Sequence, residues 1–282
     1  MILGIFHSGS GLGNQLHRYI ATRVKALDLG TDFYMIRPDL FKGRSFLNLN
    51  MGKNTFEANG KTNYLNELVT TVEEGTGRTM LMPNNFPFWF EETRYYNPEW
   101  NFIHDNTIID GEFQDERYFE HRLPEIREWL KTEPLEMPDD VCVINFRGGE
   151  YTVSPELFLP QEYWDRAVKL MRDKYPNIKF EVHTDDPITA RKFFPDFKIW
   201  ENPFRVINEY NTERIAQGFE KMGYNWRAIR YAKHLILSNS SFAIFPALLN
   251  ETADIIAPRW WNRYNLRRWE WPQNYYKLFQ YI

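Results

Sequence analysis

Near the centre of the chain stands Val141-Cys142-Val143-Ile144-Asn145-Phe146-Arg147-Gly148-Gly149-Glu150-Tyr151. It begins as a short apolar run of the kind that forms a buried parallel strand, and the run ends in an arginine and two glycines. A similar unit opens the chain, where the apolar residues 2–7 precede Gly9-Ser10-Gly11-Leu12-Gly13-Asn14-Gln15. Open α/β sheets bind their ligands in the crevice outside the carboxyl ends of the strands. Both stretches place anion-binding groups at such an edge, and together they predict a site for a phosphate-bearing molecule.

Short apolar runs alternate with helical periodicity along most of the chain. In the first part, strands are expected at 2–7, 31–36 and 107–109, with helices after the glycine loop and around 120–131. After residue 140, strands are expected at 141–145, 178–183, 197–200, 235–237 and 253–257, and helices at 161–174, 187–194, 225–233 and from about Ser240. Repeated strand and helix units predict an α/β fold with parallel sheets.

The length of 282 residues suggests about two domains, although one large domain is not excluded. The linker 132–140 carries two prolines and four acids. We therefore place the boundary there, with one domain over residues 1–135 and the other over 136–282. The polar stretch 41–78 looks irregular or inserted.

Composition narrows the class of protein. Hydrophobic residues make up 43% of the chain and aromatic residues 17%, which excludes a disordered protein. The net charge of -4 argues against a general nucleic-acid binder. Cys142 is the single cysteine, so we expect a small buried hydrophobe and no disulfide framework. Since no stretch approaches the ~20 apolar residues of a membrane span, we expect a soluble, cytoplasmic protein, with peripheral membrane contact left open.

The loop from Gly9 to Asn14 lets a ligand approach the backbone, and the helix after it offers free N–H groups and a positive dipole end. These features favour a diphosphate. A dinucleotide fingerprint has another glycine spacing and an acid about twenty residues later. Here the acid that follows the end of the next strand, Asp39, comes late, so NAD binding is disfavoured. A tight turn without a ligand is the alternative.

Arg147 directly follows the central strand, where its permanent charge requires an anionic partner. That partner is either a ligand phosphate or an internal carboxylate, and the residue types leave both open. Gly148 and Gly149 leave room for a ligand close to the backbone, which favours the phosphate.

Two further strand ends carry polar groups. In His183-Thr184-Asp185-Asp186, one acid is expected to accept hydrogen bonds from a ribose or a guanine, and the other to cap the helix that begins at Pro187. Ser238-Asn239-Ser240-Ser241-Phe242 lies between a strand and a helix. Its hydroxyls either bind phosphate oxygens or cap the helix.

The segment 259–269 alternates cations and aromatic residues, as single-strand nucleic-acid platforms do. In an acidic chain we prefer packing of this C-terminal tail on the other domain, and we expect no nucleic-acid partner. The six histidines show no metal-ligand spacing and there is no Asp-x-Asp motif, so we expect no metal. The negative charge of a leaving group would then be stabilised by Arg147 and by backbone donors.

Several of these segments, in this order, resemble motifs of the α1,2-fucosyltransferase family. This family belongs to a wider GDP-fucose-using group with the protein O-fucosyltransferases and the α1,6 enzymes. Residues 11–16 are similar to its G-L-G-N-Q-M, and residues 145–151 to its H-I-R-R-G-D-Y. The other similar blocks are 110–119, 159–163, 184–186, 238–242 and 256–258. The resemblance covers most of the chain except 41–106 and 201–224, where acceptor contacts are expected.

The resemblance implies a GT-B-type fold of two facing Rossmann-like domains. The C-terminal domain would hold GDP-fucose, and the glycan acceptor would approach from the N-terminal side. The family is inverting and needs no metal or other cofactor. Arg147 falls at the arginine that contacts the donor's β-phosphate, Asn14 near the same pyrophosphate, and Asp185 near the guanosine. The donor-binding residues that we predict are Gly11, Gly13, Asn14, Gln15, Asn145, Arg147, Asp185, Asp186, Asn239, Ser240, Ser241 and Phe242.

Two positions differ from the family motif: Asn145 replaces its histidine and Gly148 its second arginine. The protein O-fucosyltransferases also have a single arginine there. The resemblance implies transfer of fucose to a glycan hydroxyl with an α1,2-type linkage. Use of a different nucleotide sugar, or non-catalytic binding of a glycan or nucleotide, stays open.

Besides Arg147, the predicted catalytic residues are two carboxylates that could act as the general base. Glu150 is the first candidate, because it replaces the family aspartate, and Glu156, a few residues later, is the second. Glu150 could instead orient Arg147.

Overall fold

The computed structural model describes residues 1–58, 61–65, 86–91, 95–201, 212–260, 262–265, 268–270 and 276–282. The chain divides into two compact units: Met1–Lys42 with Asn48–Trp129, and Gly43–Leu47 with Leu130–Ile282. Each unit is built on a parallel sheet. The predicted α/β class with parallel sheets is therefore confirmed. Within the described ranges, no helix is long and apolar enough to cross a membrane.

The first unit contains β1 (Ile2–Ile5), α1 (Leu12–Asp28), β2 (Phe33–Ile36), β3 (Thr55–Ala58), β4 (Lys61–Tyr64), β5 (Phe88–Glu91), β6 (Thr107–Gly111) and α2 (Leu123–Trp129). Its main sheet has the order β2-β1-β6-β5, and all its pairs are parallel. Helix α1 packs on β1. Gly4 allows this close approach, because a Cβ there would collide with Oγ1 of Thr22.

Three features of the first unit differ from the prediction. In its described part, the stretch 41–78 forms an antiparallel hairpin of β3 and β4, while 59–60 and 66–78 lie outside the described residues. Strand β5 was not predicted; it is an edge strand on which Phe88 and Phe90 are exposed, so no buried run marks it. The helix expected at 120–131 starts as a 3₁₀ turn and becomes α-helical at Leu123. Pro124 explains this, since it donates no N–H and restricts the residue before it.

The second unit contains β7 (Val141–Phe146), α3 (Gln161–Lys174), β8 (Lys179–Thr184), α4 (Pro187–Phe193), β9 (Lys198–Glu201), α5 (Thr212–Tyr231), β10 (His234–Ile236), α6 (Ser241–Leu248), β11 (Asp254–Ala257), β12 (Asn262–Asn265), β13 (Arg268–Glu270) and β14 (Gln280–Tyr281). The main sheet has the parallel order β14-β11-β10-β7-β8-β9. All six residues of β7 are buried, including Cys142, which confirms its prediction as a buried hydrophobe.

Two predictions for the second unit were wrong. Helix α5 begins at Thr212, well before the expected 225, and it includes Gly223. Gly223 is a packing position inside the helix, since a Cβ there would lie 3.0 Å from Cγ of Phe46. Residues 253–257 were expected to form the final strand, but β14 follows β11 and pairs with it. The last strand thus extends the sheet of its own unit. The packing of segment 259–269 on the other domain stays a prediction. Residues 261, 266 and 267 of the basic and aromatic segment lie outside the described residues.

Each main sheet has one point where the strand order reverses direction. In the first unit the chain passes from β1 to β2 on one side and later places β6 on the other side of β1. In the second unit β8 and β9 lie on one side of β7, and β10 lies on the other. The crevices outside the carboxyl ends of β1 and β6, and of β7 and β10, are therefore the places where ligand binding is expected.

Candidate functional site

The reversal point of the second unit joins two of the predicted motifs. The Ser238 hydroxyl donates a hydrogen bond to Oδ1 of Asn145 over 2.8 Å, and the Ser238 N–H donates to the Asn145 carbonyl over 3.0 Å. Asn145 ends up 8% exposed at the carboxyl end of β7. The structure thus brings the Arg147 loop and the 238–242 loop together, although they are far apart in the sequence.

Arg147 projects from this edge with a carboxylate on each side of its guanidinium. Nη1 lies 2.5 Å from Oδ2 of Asp185, and Nη2 donates to Oε1 of Glu150 over 2.7 Å. The Asp185 side chain is 11% exposed, whereas that of Glu150 is 68% exposed. The guanidinium also lies 5.4 Å from the ring centre of Tyr151. The internal carboxylate is therefore present, and Glu150 is placed to orient Arg147.

The charges of this group are set by burial and by one another. Burial alone would lower the pKa of Arg147, but the Asp185 and Glu150 carboxylates outweigh it and raise that pKa above its usual value. Burial raises the pKa of Asp185, against the opposing effects of Arg147 and of the Gly148 N–H, which donates over 2.9 Å. Since Glu150 is mostly in water, an incoming anion can replace its carboxylate at Nη2 while Asp185 still holds Nη1.

The space beside Gly148 and Gly149 is not left for a ligand, contrary to the prediction. A Cβ at Gly148 would lie 2.5 Å from Cβ of Asp186, and one at Gly149 would collide with Oδ2 of Asp185. Gly149 also has a φ of +42°, in the left-handed region that favours glycine. The two glycines therefore admit the acids at the end of β8, and a larger residue at 148 would displace Asp186.

Asp186 was predicted both as a donor contact and as a helix cap, and its contacts are those of a cap. It stands at the N-terminus of α4, where Oδ1 accepts from the Thr189 N–H over 3.1 Å and Oδ2 from the Thr189 hydroxyl over 2.8 Å. Its own N–H donates to Oγ1 of Thr184. Both carboxylate oxygens are engaged in the cap, which confirms the capping role, while Asp186 as a donor-binding residue stays a prediction.

The 238–242 loop also contains a helix cap. Ser240 is the N-cap of α6, and its hydroxyl accepts from the Phe242 N–H over 3.4 Å. Nδ2 of Asn239 donates to the Leu157 carbonyl over 2.9 Å, which anchors the loop. Ser241 and Phe242 are half-buried in the first turn of the helix. Capping and phosphate binding remain compatible, since the first N–H groups of a helix point out of its end.

The predicted residues of the first unit have mixed roles. Gln15 is fully buried: its Nε2 donates to the Leu40 carbonyl over 2.7 Å and its Oε1 accepts from the Lys42 N–H over 2.9 Å. Its amide braces this segment, and its role as a donor contact stays a prediction. Asn14 is half-buried and accepts from Nε2 of Gln114 over 3.0 Å. Gly11 is the N-cap of α1, and Gly13 is buried within the helix.

A polar cluster that the sequence reasoning missed lies at the reversal point of the first unit. Nε2 of His7, just after β1, lies 2.7 Å from Oδ2 of Asp110 in β6. Arg18 on α1 donates through Nε to Oδ1 of Asp110 over 3.2 Å and through Nη1 to the Ser10 hydroxyl over 3.0 Å. His7 ends the predicted strand 2–7 and Asp110 directly follows the predicted strand 107–109, and this shared position was the available signal.

Two observations bear on the remaining predictions. Glu156 is half-buried and has no hydrogen-bond or ionic partner among the residues that the structure describes. Across the same described ranges, no three His, Cys, Asp or Glu side chains are grouped so as to hold a metal ion.

Below the site, the sheet holds a buried charge that makes stability depend on pH. Burial alone would raise the pKa of Glu181, but hydrogen bonds from His183 and Lys198 lower it to about 2. A depressed folded-state pKa stabilises the fold above the ordinary pKa of 4.5, and that stability is lost as the pH falls through about 2.

The unfolding free energy of the wild type should fall between pH 5 and pH 3. We expect Glu181→Gln to make this fall smaller by about 2 kcal/mol. Chemical denaturation across that pH range measures it. Exposed Glu136→Gln serves as the control and should keep the wild-type slope. A Glu181→Gln slope equal to the wild-type slope would contradict the assignment.

No protein-family model matches the chain, and no curated protein matches it. Among solved structures, it is similar to fucosyltransferase NodZ from Bradyrhizobium, with 13% identity, 88% of this chain and 92% of that chain covered, and a TM-score of 0.45. It is also similar to a variant of Arabidopsis thaliana FUT1 in complex with GDP, with 9% identity, 91% of this chain and 70% of that chain covered, and a TM-score of 0.48. For E. coli heptosyltransferase WaaC with ADP, the identity is 10%, 92% of this chain and 87% of that chain are covered, and the TM-score is 0.40. Similarity at this level does not extend to activity. The chain is an α/β protein of two parallel-sheet units.

Proposed function

We propose that the chain is an inverting glycosyltransferase that needs no metal and transfers fucose from GDP-fucose to a hydroxyl of a glycan acceptor in an α1,2-type linkage. The observation that carries the proposal is the meeting of the Arg147 loop and the 238–242 loop at the reversal point of the second sheet. An arginine and a helix start at one crevice favour a diphosphate. The motif resemblance supports GDP-fucose as the diphosphate compound.

In this proposal Arg147 stabilises the leaving group. As the acceptor oxygen attacks C1 of fucose, the bond from C1 to the β-phosphate oxygen breaks and negative charge develops on GDP. Nη2 of Arg147 would then exchange the exposed Glu150 for the β-phosphate, while Asp185 continues to hold Nη1. Charge stabilisation by fixed donors is commonly the largest contribution to catalysis.

The two departures from the family motif fit a site with one arginine. Asn145 is bound to Ser238, so it fastens the two loops to each other. Gly148 faces Asp186 at a distance that leaves no room for an arginine side chain at that position. The leaving-group charge therefore rests on Arg147 and on the amides at the start of α6.

A thermal-shift panel tests the choice of donor. GDP and GDP-fucose should raise the melting temperature by several degrees, because a ligand at 100 times its Kd stabilises by about 2.7 kcal/mol. UDP, ADP and NAD should give no shift at the same concentration. A shift with UDP and none with GDP would show that the donor is a different nucleotide sugar. Release of GDP from GDP-fucose then distinguishes an enzyme from a binding protein.

A further inference from the structure

The carbonyl of Leu237, directly after β10, faces a position of the neighbouring strand that has no donor. The Leu237 N–H donates to the Ile256 carbonyl over 2.8 Å. In a parallel ladder the N–H and the carbonyl of one residue face the same neighbour, so the Leu237 carbonyl faces the backbone nitrogen two positions after Ile256. That residue is Pro258, and proline has no backbone N–H. The ladder therefore supplies no donor to the Leu237 carbonyl.

Tyr163, in the first turn of α3, supplies this donor. Its hydroxyl donates to the Leu237 carbonyl over 2.6 Å. Leu237 is 0% exposed and Tyr163 is 8% exposed, so the bond is shielded from water. Burial raises the pKa of Tyr163 well above its usual value, so the hydroxyl keeps its proton and donates. Because a buried carbonyl without a partner is costly, this bond fixes the peptide group that follows Leu237.

The peptide group between Leu237 and Ser238 is held at both ends. Its carbonyl accepts from Tyr163, and its N–H donates to the Asn145 carbonyl over 3.0 Å. The Ser238 hydroxyl also accepts from the Ser240 N–H over 3.3 Å, and Ser240 is the N-cap of α6. The position of the first amides of α6 therefore depends on this peptide group.

We infer that Tyr163 is a positioning residue for the diphosphate of the donor: it replaces the sheet donor that Pro258 lacks and so holds the start of α6 in place. The inference rests on the proposed binding of GDP-fucose by the second unit. Tyr163, Leu237 and Pro258 all belong to that unit. Tyr163 and Pro258 stand in the blocks 159–163 and 256–258, which the motif resemblance includes without a role.

The test is Tyr163→Phe, which removes only the hydroxyl. The Leu237 carbonyl then lacks a donor, and its peptide group turns towards another partner and displaces the start of α6. We expect the Kd for GDP to rise about tenfold, measured by titration calorimetry well below the melting temperature. Since the chain is folded at that temperature, a loss of stability alone leaves the Kd unchanged.

A second substitution should reverse the effect. Pro258→Ala places a backbone N–H opposite the Leu237 carbonyl, so Tyr163→Phe combined with Pro258→Ala should bind GDP within threefold of wild type. The double variant should also fold if Tyr163→Phe alone does not. This rescue is specific to the Leu237 carbonyl, because alanine at 258 adds no side-chain donor.

A matched control is available in the same unit. The Tyr231 hydroxyl also donates to a backbone carbonyl, that of Thr132, over 3.1 Å. Tyr231 is the last residue of α5 and precedes β10, so it lies at the amino edge of the sheet, opposite the crevice. Tyr231→Phe removes the same kind of bond and should keep the wild-type Kd for GDP.

Each outcome has one meaning. A Kd of Tyr163→Phe within twofold of wild type, or an equal rise in Tyr231→Phe, overturns the role of Tyr163 and leaves the proposed function standing. A double variant that does not fold or does not regain GDP binding also overturns it, because Tyr163 would then act elsewhere than at Leu237. A wild type that binds no GDP overturns the proposed function, and the role of Tyr163 with it.

Discussion

We expect Arg147→Ala to abolish transfer, with a fall in kcat/KM of at least about 10²-fold, while the fold remains intact. Arg147 is the fixed cation at the crevice of the second sheet, and its removal leaves the developing charge of GDP to backbone donors. Folding should survive, because burial already raises the pKa of Asp185 and the carboxyl can become neutral when its partner is lost. Steady-state release of GDP and a circular-dichroism melt measure the two effects.

Two further variants make this result specific. Arg147→Lys keeps the charge but loses the planar fork that bonds two groups at once, so it should recover only part of the activity. Arg122→Ala is the control: Arg122 also bonds two carboxylates, those of Asp28 and Glu125, but on the exposed surface of the first unit. Its activity should equal that of the wild type. Near-normal turnover of Arg147→Ala would remove Arg147 from the mechanism.

The second large effect is expected from Gly149→Ala, which should destabilise the chain by about 2–3 kcal/mol. The φ of +42° strains any residue with a Cβ, and that Cβ would collide with Oδ2 of Asp185. Displacement of Asp185 releases Nη1 of Arg147, so GDP should bind about tenfold more weakly, equivalent to about 1.4 kcal/mol. Chemical denaturation and titration calorimetry with GDP measure these changes.

Gly30→Ala separates backbone strain from collision. Gly30 has a φ of +64°, but a Cβ there would meet nothing within 4 Å. This variant should lose about 1–2 kcal/mol from strain alone and should bind GDP normally. Equal effects of the two substitutions on GDP binding would contradict the role of Asp185 in holding Arg147.

The elements that could be predicted from the sequence are those with a strong local pattern. Helix α3 has the predicted bounds, Gln161–Lys174, because its apolar residues repeat at helical spacing. Strand β7 extends only one residue beyond the expected 141–145, because it is apolar except at Asn145 and buried on both faces. Strand β14 has two residues and carries no periodic signal, so only its pairing with β11 reveals it.

The site was harder to predict because its contacts are not local. The strand-end residues could be named, but the sequence does not tell whose atoms fill the space beside Gly148 and Gly149, and these are the acids at the end of β8. Gln15 stands at the glutamine of a family motif, yet its buried amide is hydrogen-bonded to the Leu40 carbonyl and the Lys42 N–H. His7 and Asp110 are 103 positions apart, and only the placement of β6 beside β1 brings them together.

A crystal structure of the chain with GDP is the most direct test that the second unit binds the donor at its reversal point. The diphosphate should lie between the Arg147 loop and the start of α6, with a β-phosphate oxygen within about 3 Å of the Arg147 guanidinium. The Glu150 carboxylate should have left Nη2, and Asp185 should still hold Nη1. A diphosphate that makes no contact with Arg147, or GDP bound elsewhere on the chain, would contradict the proposal.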